Sequence, residues 1–413
     1  MTAELPHPPS EPSGPPRPGG PDEPDGPGGP DDDAPRRASF PELPRSVFER
    51  LPHPLVQAPM AGGISVPALV AAVSGAGGLG FLAAGYQEPR AVREEIAMVR
   101  ALTGAPFGVN VFVPGHDVPG AAEAVAAYRE HLAGEAERYD VALPDAPAWD
   151  DDAYAEKLDL LTELAVPVVS FTFGCPDEDT VARLQSAGSE IAVTVTTPDE
   201  ALRAVRAGAD ALCVQSAAAG GHRGSFEPRP VGEAAAPEPS LTELLTAVRE
   251  AVAGEGAELP LLAAGGIMDG ADVAAVLAAG ATAAQLGTAF LATPESGAHP
   301  LHKAALTDRR WSPHGSFGNS TGVTRAFSGR PARGLVNRFM TEHQAYAPAC
   351  YPQVHRLVAP LRRAAAQAGD VDGMALWAGT GHARARALPA QDLVELLLAE
   401  AAQAAGLPPD RRV

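Results

Sequence analysis

The residues best suited to chemistry lie in segment 214–224, where an apolar run gives way to small residues, two glycines, a histidine and an arginine. Small residues let a backbone approach a planar or phosphorylated ligand closely, and His222 carries a nitrogen that titrates near neutral pH. The pattern predicts a strand that delivers a cofactor-contacting loop and a candidate general base. The alternatives for His222 are a surface residue and a phosphate contact, and we expect Arg223 to brace the loop through a carboxylate.

Two later segments are rich in glycine or hydroxyl groups at the points where strands should end. Segment 263–267 contains Gly265 and Gly266, and the second segment consists of Gln285, Leu286, Gly287 and Thr288. Backbone N–H groups in such turns can surround a phosphate, and a threonine hydroxyl adds a donor. Either segment alone is as typical of a tight turn as of a phosphate-binding loop, but the two together predict a phosphate-bearing ligand.

Two side chains nearer the N-terminus are further candidates for contact with a flat cofactor. Met60 follows the first apolar run and could pack against a ring system, while Asn110 interrupts an apolar strand and suits the heteroatom edge of a flavin. The alternatives are a core methionine and a satisfied structural amide. A dinucleotide-binding fingerprint is not supported, because the glycine run at 75–80 precedes a strand instead of following one.

These candidates must be positioned by a repeating unit of apolar strand, small-residue turn and Ala-rich amphipathic helix. Most of the apolar runs are nearly continuous, as in parallel strands covered on both faces. Thr197 and Asp269 have the pattern of helix N-caps, and Gly208 and Gly280 stand where helices should end. Eight units predict an α/β protein with a (β/α)8 barrel, and an open doubly wound sheet is the alternative. The predicted strands are 55–58, 79–82, 107–112, 166–171, 190–195, 211–214, 260–264 and 283–286.

The chain divides into four predicted regions. Residues 1–38 are a Pro/Gly/Asp-rich tail that we expect to be disordered, because it cannot bury enough apolar surface to offset its ordering entropy. Residues 39–293 form the barrel, with a helical insertion at about 115–157. Residues 294–385 are a smaller, mainly helical cap region for the substrate, and residues 386–413 form a C-terminal helix.

Composition limits the partners and the location. A formal net charge of -20 argues against a nucleic acid or an anionic membrane as partner. The three cysteines show no metal-ligand spacing and no disulfide framework, and we expect Cys213 to be a core residue. With no apolar run of membrane-spanning length and no signal pattern, the sequence predicts a cytoplasmic protein.

Several segments together resemble the nitronate monooxygenase family, formerly the 2-nitropropane dioxygenases, over residues 51–385. The similarity covers residues 57–85, 107–110, 220–224, 263–270 and 285–288, and segments 327–334 and 377–379 resemble those of the bacterial class I enzymes. The chain departs from the family at Ser216, where glycine is usual, and at Thr380, where glutamine is usual. Both departures affect the expected substrate preference more than the fold.

The resemblance implies an FMN-containing barrel that oxidises alkyl nitronates, such as propionate 3-nitronate, with O2 to carbonyl compounds and nitrite. His222 would remove the α-proton of a neutral nitroalkane, whereas an ionised nitronate needs no base. A homodimer is possible and no metal is expected. The residues that would bind FMN are Asn110, Gln215, Gly220, Gly266, Gln285, Leu286, Gly287 and Thr288, with Met60 against the ring.

The sequence leaves two other functions open. Sister families on the same barrel are NAD(P)H-dependent flavin reductases of quinones or enoyl thioesters, although no nicotinamide site is evident in the sequence. The other alternative is a non-catalytic flavin- or phosphate-binding relative. The presence of His222 and Asn110 argues against it.

Overall fold

The computed structural model describes residues 46–145, 147–227, 238–311 and 321–407. The tail predicted at residues 1–38 lies outside the described residues. None of the helices within these ranges is both long and apolar enough to cross a membrane.

Eight parallel strands close into a barrel in the order β1-β2-β3-β4-β5-β6-β8-β9, and β1 pairs with β9 through Val56 and Gln285. This confirms the predicted (β/α)8 fold, and the predicted strands match the observed ones to within two residues at either end. The strands are β1 (Leu55–Gln57), β2 (Leu79–Ala83), β3 (Phe107–Phe112), β4 (Val168–Thr172), β5 (Glu190–Val195), β6 (Ala211–Gln215), β7 (Gly221–His222), β8 (Leu261–Ala264), β9 (Ala283–Leu286), β10 (Thr321–Thr324) and β11 (Ala332–Leu335).

Helices connect successive barrel strands and begin where the sequence provides caps. The Thr197 side chain accepts a hydrogen bond from the Glu200 N–H, and Asp269 accepts one from the Asp272 N–H, which confirms both predicted N-caps. The helices are α1 (Val47–Arg50), α2 (Pro67–Gly75), α3 (Pro89–Leu102), α4 (Ala121–His131), α5 (Ala133–Arg138), α6 (Tyr154–Glu163), α7 (Glu178–Ser186), α8 (Pro198–Arg206), α9 (Leu241–Gly254), α10 (Gly270–Ala278), α11 (Thr288–Leu291), α12 (Pro300–Ala305), α13 (Arg338–His343), α14 (Gln353–Gln367) and α15 (Ala390–Ala404).

The barrel has two apolar layers, as a sheet covered on both faces requires. The outer layer packs the strands against the surrounding helices, while small side chains such as Ala192 and Ala211 fill the interior together with Phe81. Helix α1 closes the bottom of the barrel: Phe48 inserts into the interior layer, and the Val47 N–H donates to Glu190 at the start of β5. This short helix was not predicted from the sequence.

A second, three-stranded antiparallel sheet lies over the carboxyl ends of the barrel strands and has the order β10-β11-β7. Ala332 of β11 pairs with His222 of β7, and Arg333 pairs with Gly221. A strand of two residues has too few hydrogen bonds to persist alone, so β11 fixes the backbone at His222.

Helices from two distant stretches of chain share one apolar cluster beside this sheet. Tyr128 and Val125 of α4 pack with Phe339 of α13 and Leu357 of α14, and the Tyr128 hydroxyl donates to the Ala326 carbonyl at 2.9 Å. Helices α4 and α5, between β3 and β4, thus support the segments that follow residue 321.

Candidate active site

A cavity of about 540 Å³ opens at the carboxyl ends of the barrel strands and lies beneath the β10-β11-β7 sheet. This volume is typical of a site for a small molecule or cofactor. Barrel strand ends, the loop around His222, and α12 and α14 all contribute to its wall. The site therefore lies where (β/α)8 barrels place their chemistry.

The strand ends after β8 and β9 line the cavity with Gly265, Gly266, Gly287 and Thr288. Gly265 has φ +120°, and a Cβ there would collide with the Ser216 hydroxyl. Glycine is therefore required at position 265 by its positive φ and by the close approach of Ser216. The Thr288 hydroxyl accepts from the Gly379 N–H at 3.0 Å and so ties the C-terminal segment to the cavity floor.

Two buried amides reach the cavity from the barrel interior. Asn110 donates through Nδ2 to the Ser170 and Thr172 hydroxyls at 2.9 and 3.0 Å, and Gln285 Nε2 donates to Cys213 Sγ at 3.0 Å. Within the described chain the oxygens Asn110 Oδ1 and Gln285 Oε1 accept no hydrogen bond. Each can therefore accept from a ligand N–H.

Gln215 and Arg223 hold the loop between β6 and β7. Gln215 donates to the His222 carbonyl at 3.2 Å and accepts from the Gly224 N–H at 2.8 Å. Arg223 donates to the Gln215 carbonyl at 2.5 Å and to the Glu238 carboxylate at 2.7 Å. The carboxylate brace predicted for Arg223 is confirmed, and it fixes the turn that carries His222.

His222 projects into the cavity among three aromatic rings. The ring centroids of Phe173, Tyr351 and Trp377 lie 5.7, 5.9 and 5.6 Å from that of its imidazole. Burial, together with the positive charges of Arg330 and Arg362, lowers the pKa of His222 to about 3. The imidazole is therefore neutral at physiological pH.

The contacts of Ser328 bear on the tautomer of His222. Nε2 lies 2.8 Å from the Ser328 hydroxyl, and that hydroxyl lies 3.1 Å from the Arg330 carbonyl. The Nε2–H tautomer satisfies both contacts, because the Ser328 oxygen then accepts from the imidazole while its hydroxyl donates to the Arg330 carbonyl. Nδ1 is then the unprotonated nitrogen, and among the described residues it has no hydrogen-bond partner.

The loop after β2 and helix α14 contribute three planar groups to the same wall. The ring of Tyr86 lies parallel to that of His355 with centroids 3.9 Å apart, and Arg362 Nη2 lies 3.3 Å from His355 Nδ1. The Tyr351 hydroxyl donates to the Tyr86 hydroxyl at 3.0 Å. The arrangement brings an arginine from α14 to within electrostatic range of His222.

Nine of the ten residues predicted from the sequence line this one cavity: Met60, Asn110, Gln215, Gly220, His222, Gly266, Gln285, Gly287 and Thr288. Leu286 differs, because its side chain is 1 % exposed and packs in the outer apolar layer. Successive residues of a strand point to opposite faces, so Leu286 turns away where Gln285 faces inward.

Sequence reasoning missed Tyr86, His355 and Arg362. None of them belongs to a glycine-rich turn or interrupts a strand, and His355 and Arg362 lie on an ordinary amphipathic helix. The one available indication was their spacing of seven residues, which places both on the same face of α14.

Comparison with known proteins agrees with this architecture. The family model for nitronate monooxygenase matches residues 47–400. The chain is 40% identical to a nitronate monooxygenase of Pseudomonas aeruginosa PAO1, over 84% of this chain and 96% of the relative. It is 38% identical to a probable nitronate monooxygenase of Bacillus subtilis, over 80% of this chain and 90% of the relative.

A solved structure is also similar. The nitroalkane oxidase from Streptomyces ansochromogenes superposes with a TM-score of 0.80 at 55% identity, and the match covers 87% of this chain and 98% of that one.

The fold and the cavity define a (β/α)8 barrel enzyme whose site lies at the carboxyl ends of the strands. The chain belongs to the nitronate monooxygenase family and is an oxidoreductase. The resemblance found in the sequence motifs is confirmed.

Proposed function

We propose that the protein is an FMN-dependent monooxygenase that oxidises alkyl nitronates with O2 to carbonyl compounds and nitrite. One observation carries the proposal: a neutral histidine with an unpartnered Nδ1 shares a cavity with glycine-rich strand ends and two unfilled amide acceptors. The names of the relatives in Pseudomonas aeruginosa and Bacillus subtilis support the same substrate class.

The residues present suit FMN on three grounds. The cavity has the volume of a cofactor site, glycines leave its floor open at the two strand ends, and Asn110 and Gln285 offer acceptors to a polar ring edge. When bound, FMN supplies the electron-accepting group. The residues that would hold it are Met60, Asn110, Gln215, Gly220, Gly266, Gln285, Gly287 and Thr288.

His222 would act on a neutral nitroalkane by taking the α-proton on Nδ1 while Nε2–H stays bonded to Ser328. An anionic nitronate has already lost that proton, so for this substrate His222 would only orient the molecule. The rings of Phe173, Tyr351 and Trp377 surround the imidazole and make its environment apolar.

The function is tested by mixing the purified protein anaerobically with propionate 3-nitronate and, separately, with NADPH. We expect the nitronate to change the visible flavin absorption and to release nitrite once O2 is admitted. Rapid bleaching by NADPH alone would instead identify a flavin reductase. An FMN-loaded protein that releases no nitrite from any nitronate would identify a non-catalytic binder.

The role of His222 is tested with His222→Ala. We expect this variant to retain FMN, to lose at least about 100-fold in kcat/KM on neutral nitroethane, and to keep most of its activity on ethylnitronate, since only the first substrate needs a base. Loss of FMN from the variant would make His222 a cofactor-binding residue and would contradict the proposed role.

A further inference from the structure

Arg362 is the one charged side chain among the described residues that line the cavity, apart from histidines. No aspartate or glutamate from residues 46–145, 147–227, 238–311 or 321–407 contributes to the wall, although the protein as a whole carries a net charge of -20. The cavity is therefore locally positive in an acidic protein, and it favours an anionic ligand.

The guanidinium of Arg362 has no counter-ion in the described chain. Its Nη2 donates to the His355 carbonyl at 3.1 Å, and its Nε is buried without a hydrogen-bond partner. A buried charge without a partner costs several kcal/mol. We therefore expect such a group where a ligand supplies the missing counter-charge.

The carboxylates that approach this wall are already paired with other cations. Asp152, which accepts the Tyr86 backbone N–H, lies 2.8 Å from Lys157 Nζ. Asp150 lies 2.6 Å from Arg356 Nε. Neither is free to neutralise Arg362, and burial lowers the pKa of its guanidinium to about 10, which leaves it charged at neutral pH.

The position of Arg362 distinguishes it from the strand ends proposed for the FMN phosphate. It lies on α14, beside His355 and Tyr86, and its charge acts on His222, whereas Gly266, Gly287 and Thr288 follow β8 and β9. Because the FMN phosphate would lie at those strand ends, an anion bound at Arg362 would belong to the substrate.

We propose that Arg362 is a specificity residue that binds a planar, two-oxygen monoanion of the substrate. A nitronate and a carboxylate share this shape, and both match the fork of donors on a guanidinium. The inference rests on the proposed function for the identity of the substrate, and the charge of the cavity is independent of it. The shared chemistry has two possible sources, the nitronate group itself or a carboxylate at the far end of the molecule.

The experiment compares Arg362→Met and Arg362→Lys with wild type, using ethylnitronate and propionate 3-nitronate. We expect Arg362→Met to raise KM at least about tenfold with a much smaller change in kcat, and Arg362→Lys to restore part of the loss. An equal loss on both substrates places the nitronate group at Arg362. A loss confined to propionate 3-nitronate places the carboxylate there.

Arg363→Met is the matched control, because Arg363 is the exposed neighbour on α14 and its removal changes the net charge equally. Unchanged KM values in Arg362→Met, or equal losses in Arg363→Met, would overturn the assignment. FMN content and thermal unfolding of each variant verify folding, and Arg362→Met should be no less stable than wild type because it removes an unpaired charge.

A binding measurement separates this inference from the proposed function. Titration calorimetry with propionate should give saturable binding to wild type and at least about tenfold weaker binding to Arg362→Met. A wild type that binds propionate through Arg362 but oxidises no nitronate would contradict the proposed function alone. Turnover of nitronates without any effect of Arg362 on KM or on propionate binding would contradict this inference alone.

Discussion

At the scale of single residues, the chemistry depends on which nitrogen of His222 carries the proton. The sequence places the histidine in a loop, but the acceptor for Nε2–H comes from Ser328, which is 106 residues away. The Nε2–H tautomer, in which Nδ1 is unprotonated, is the one that lets Ser328 accept from the imidazole and donate to the Arg330 carbonyl. Ser328 is therefore a positioning residue for the base.

Ser328→Ala removes the acceptor and leaves the imidazole free to exchange tautomers. We expect kcat/KM on neutral nitroethane to fall about tenfold, the equivalent of one lost hydrogen bond, while kcat/KM on preformed ethylnitronate stays close to wild type. Steady-state rates of nitrite release from the two substrates measure this difference in kcat/KM. Ser186→Ala, on the exposed side of α7, is the control, and equal losses on both substrates would assign Ser328 a general structural role instead.

At the scale of elements, the loop between β6 and β7 is pressed against the C-terminal segment. A Cβ on Gly220 would stand 2.5 Å from the Gly379 nitrogen and 2.6 Å from the Ala378 carbonyl carbon. These are backbone atoms that cannot turn aside as a flexible side chain can. The glycine that the family motif assigns to the cofactor loop is thus also the contact point between the barrel and the C-terminal segment.

Gly220→Ala should separate the two segments. We expect a loss of about 1–3 kcal/mol in the free energy of unfolding, as for overpacked sites, together with a lower FMN content. Urea unfolding and the ratio of flavin to protein absorbance measure the two effects. Gly104→Ala is the control because nothing lies within 4 Å of its added Cβ, and equal stability of the two variants would refute the close contact.

The barrel strands were predictable because each is a local apolar run that parallel sheets cover on both faces. The sheet that holds His222 was not, since β7 has two residues and exists only through pairing with Ala332 and Arg333 more than 100 residues later. Helix α1 does have a local signal, the capping box of Ser46 and Glu49, but its four residues are too few to show a helical period, and Glu190 of β5 adds to its stability.

At the scale of the whole molecule, three histidines at or near the cavity link stability to pH. Burial is the main cause that lowers the pKa of His222 to about 3 and of His302 to about 4, and it lowers the pKa of His355 well below its usual value. In the unfolded chain each returns to about 6.5. Between these values the unfolded state binds more protons, so the free energy of unfolding falls as pH drops below about 6.5.

We expect the slope from each such histidine to rise from roughly 0.7 kcal/mol per pH unit at pH 6.5 towards roughly 1.4 kcal/mol per pH unit near pH 5. Burial raises the pKa of Glu135, but the nearby His343 and the hydrogen bonds from Arg338 outweigh it and lower that pKa to about 2. The contribution of Glu135 is therefore lost only below about pH 4.5 and does not interfere. Urea unfolding at several pH values across the histidine range measures the slope. We expect His302→Gln to flatten the slope of the unfolding free energy against pH, whereas His116→Asn, at an exposed position, should leave it unchanged. An unchanged slope in His302→Gln would contradict the assignment to His302.

The sequence by itself determined the order of the eight barrel strands, the strand ends that carry Asn110, Gly266 and Thr288, and the loop that carries His222. Each of these depends on neighbours close in the chain, so local hydrophobicity and turn residues are sufficient to predict them. Only the tertiary structure decided the tautomer of His222, the inward turn of Gln285 against the outward turn of Leu286, and the placing of Arg362 at the cavity. These depend on pairing and packing between segments distant in the chain, and on the removal of water from charges whose partners no local pattern reveals.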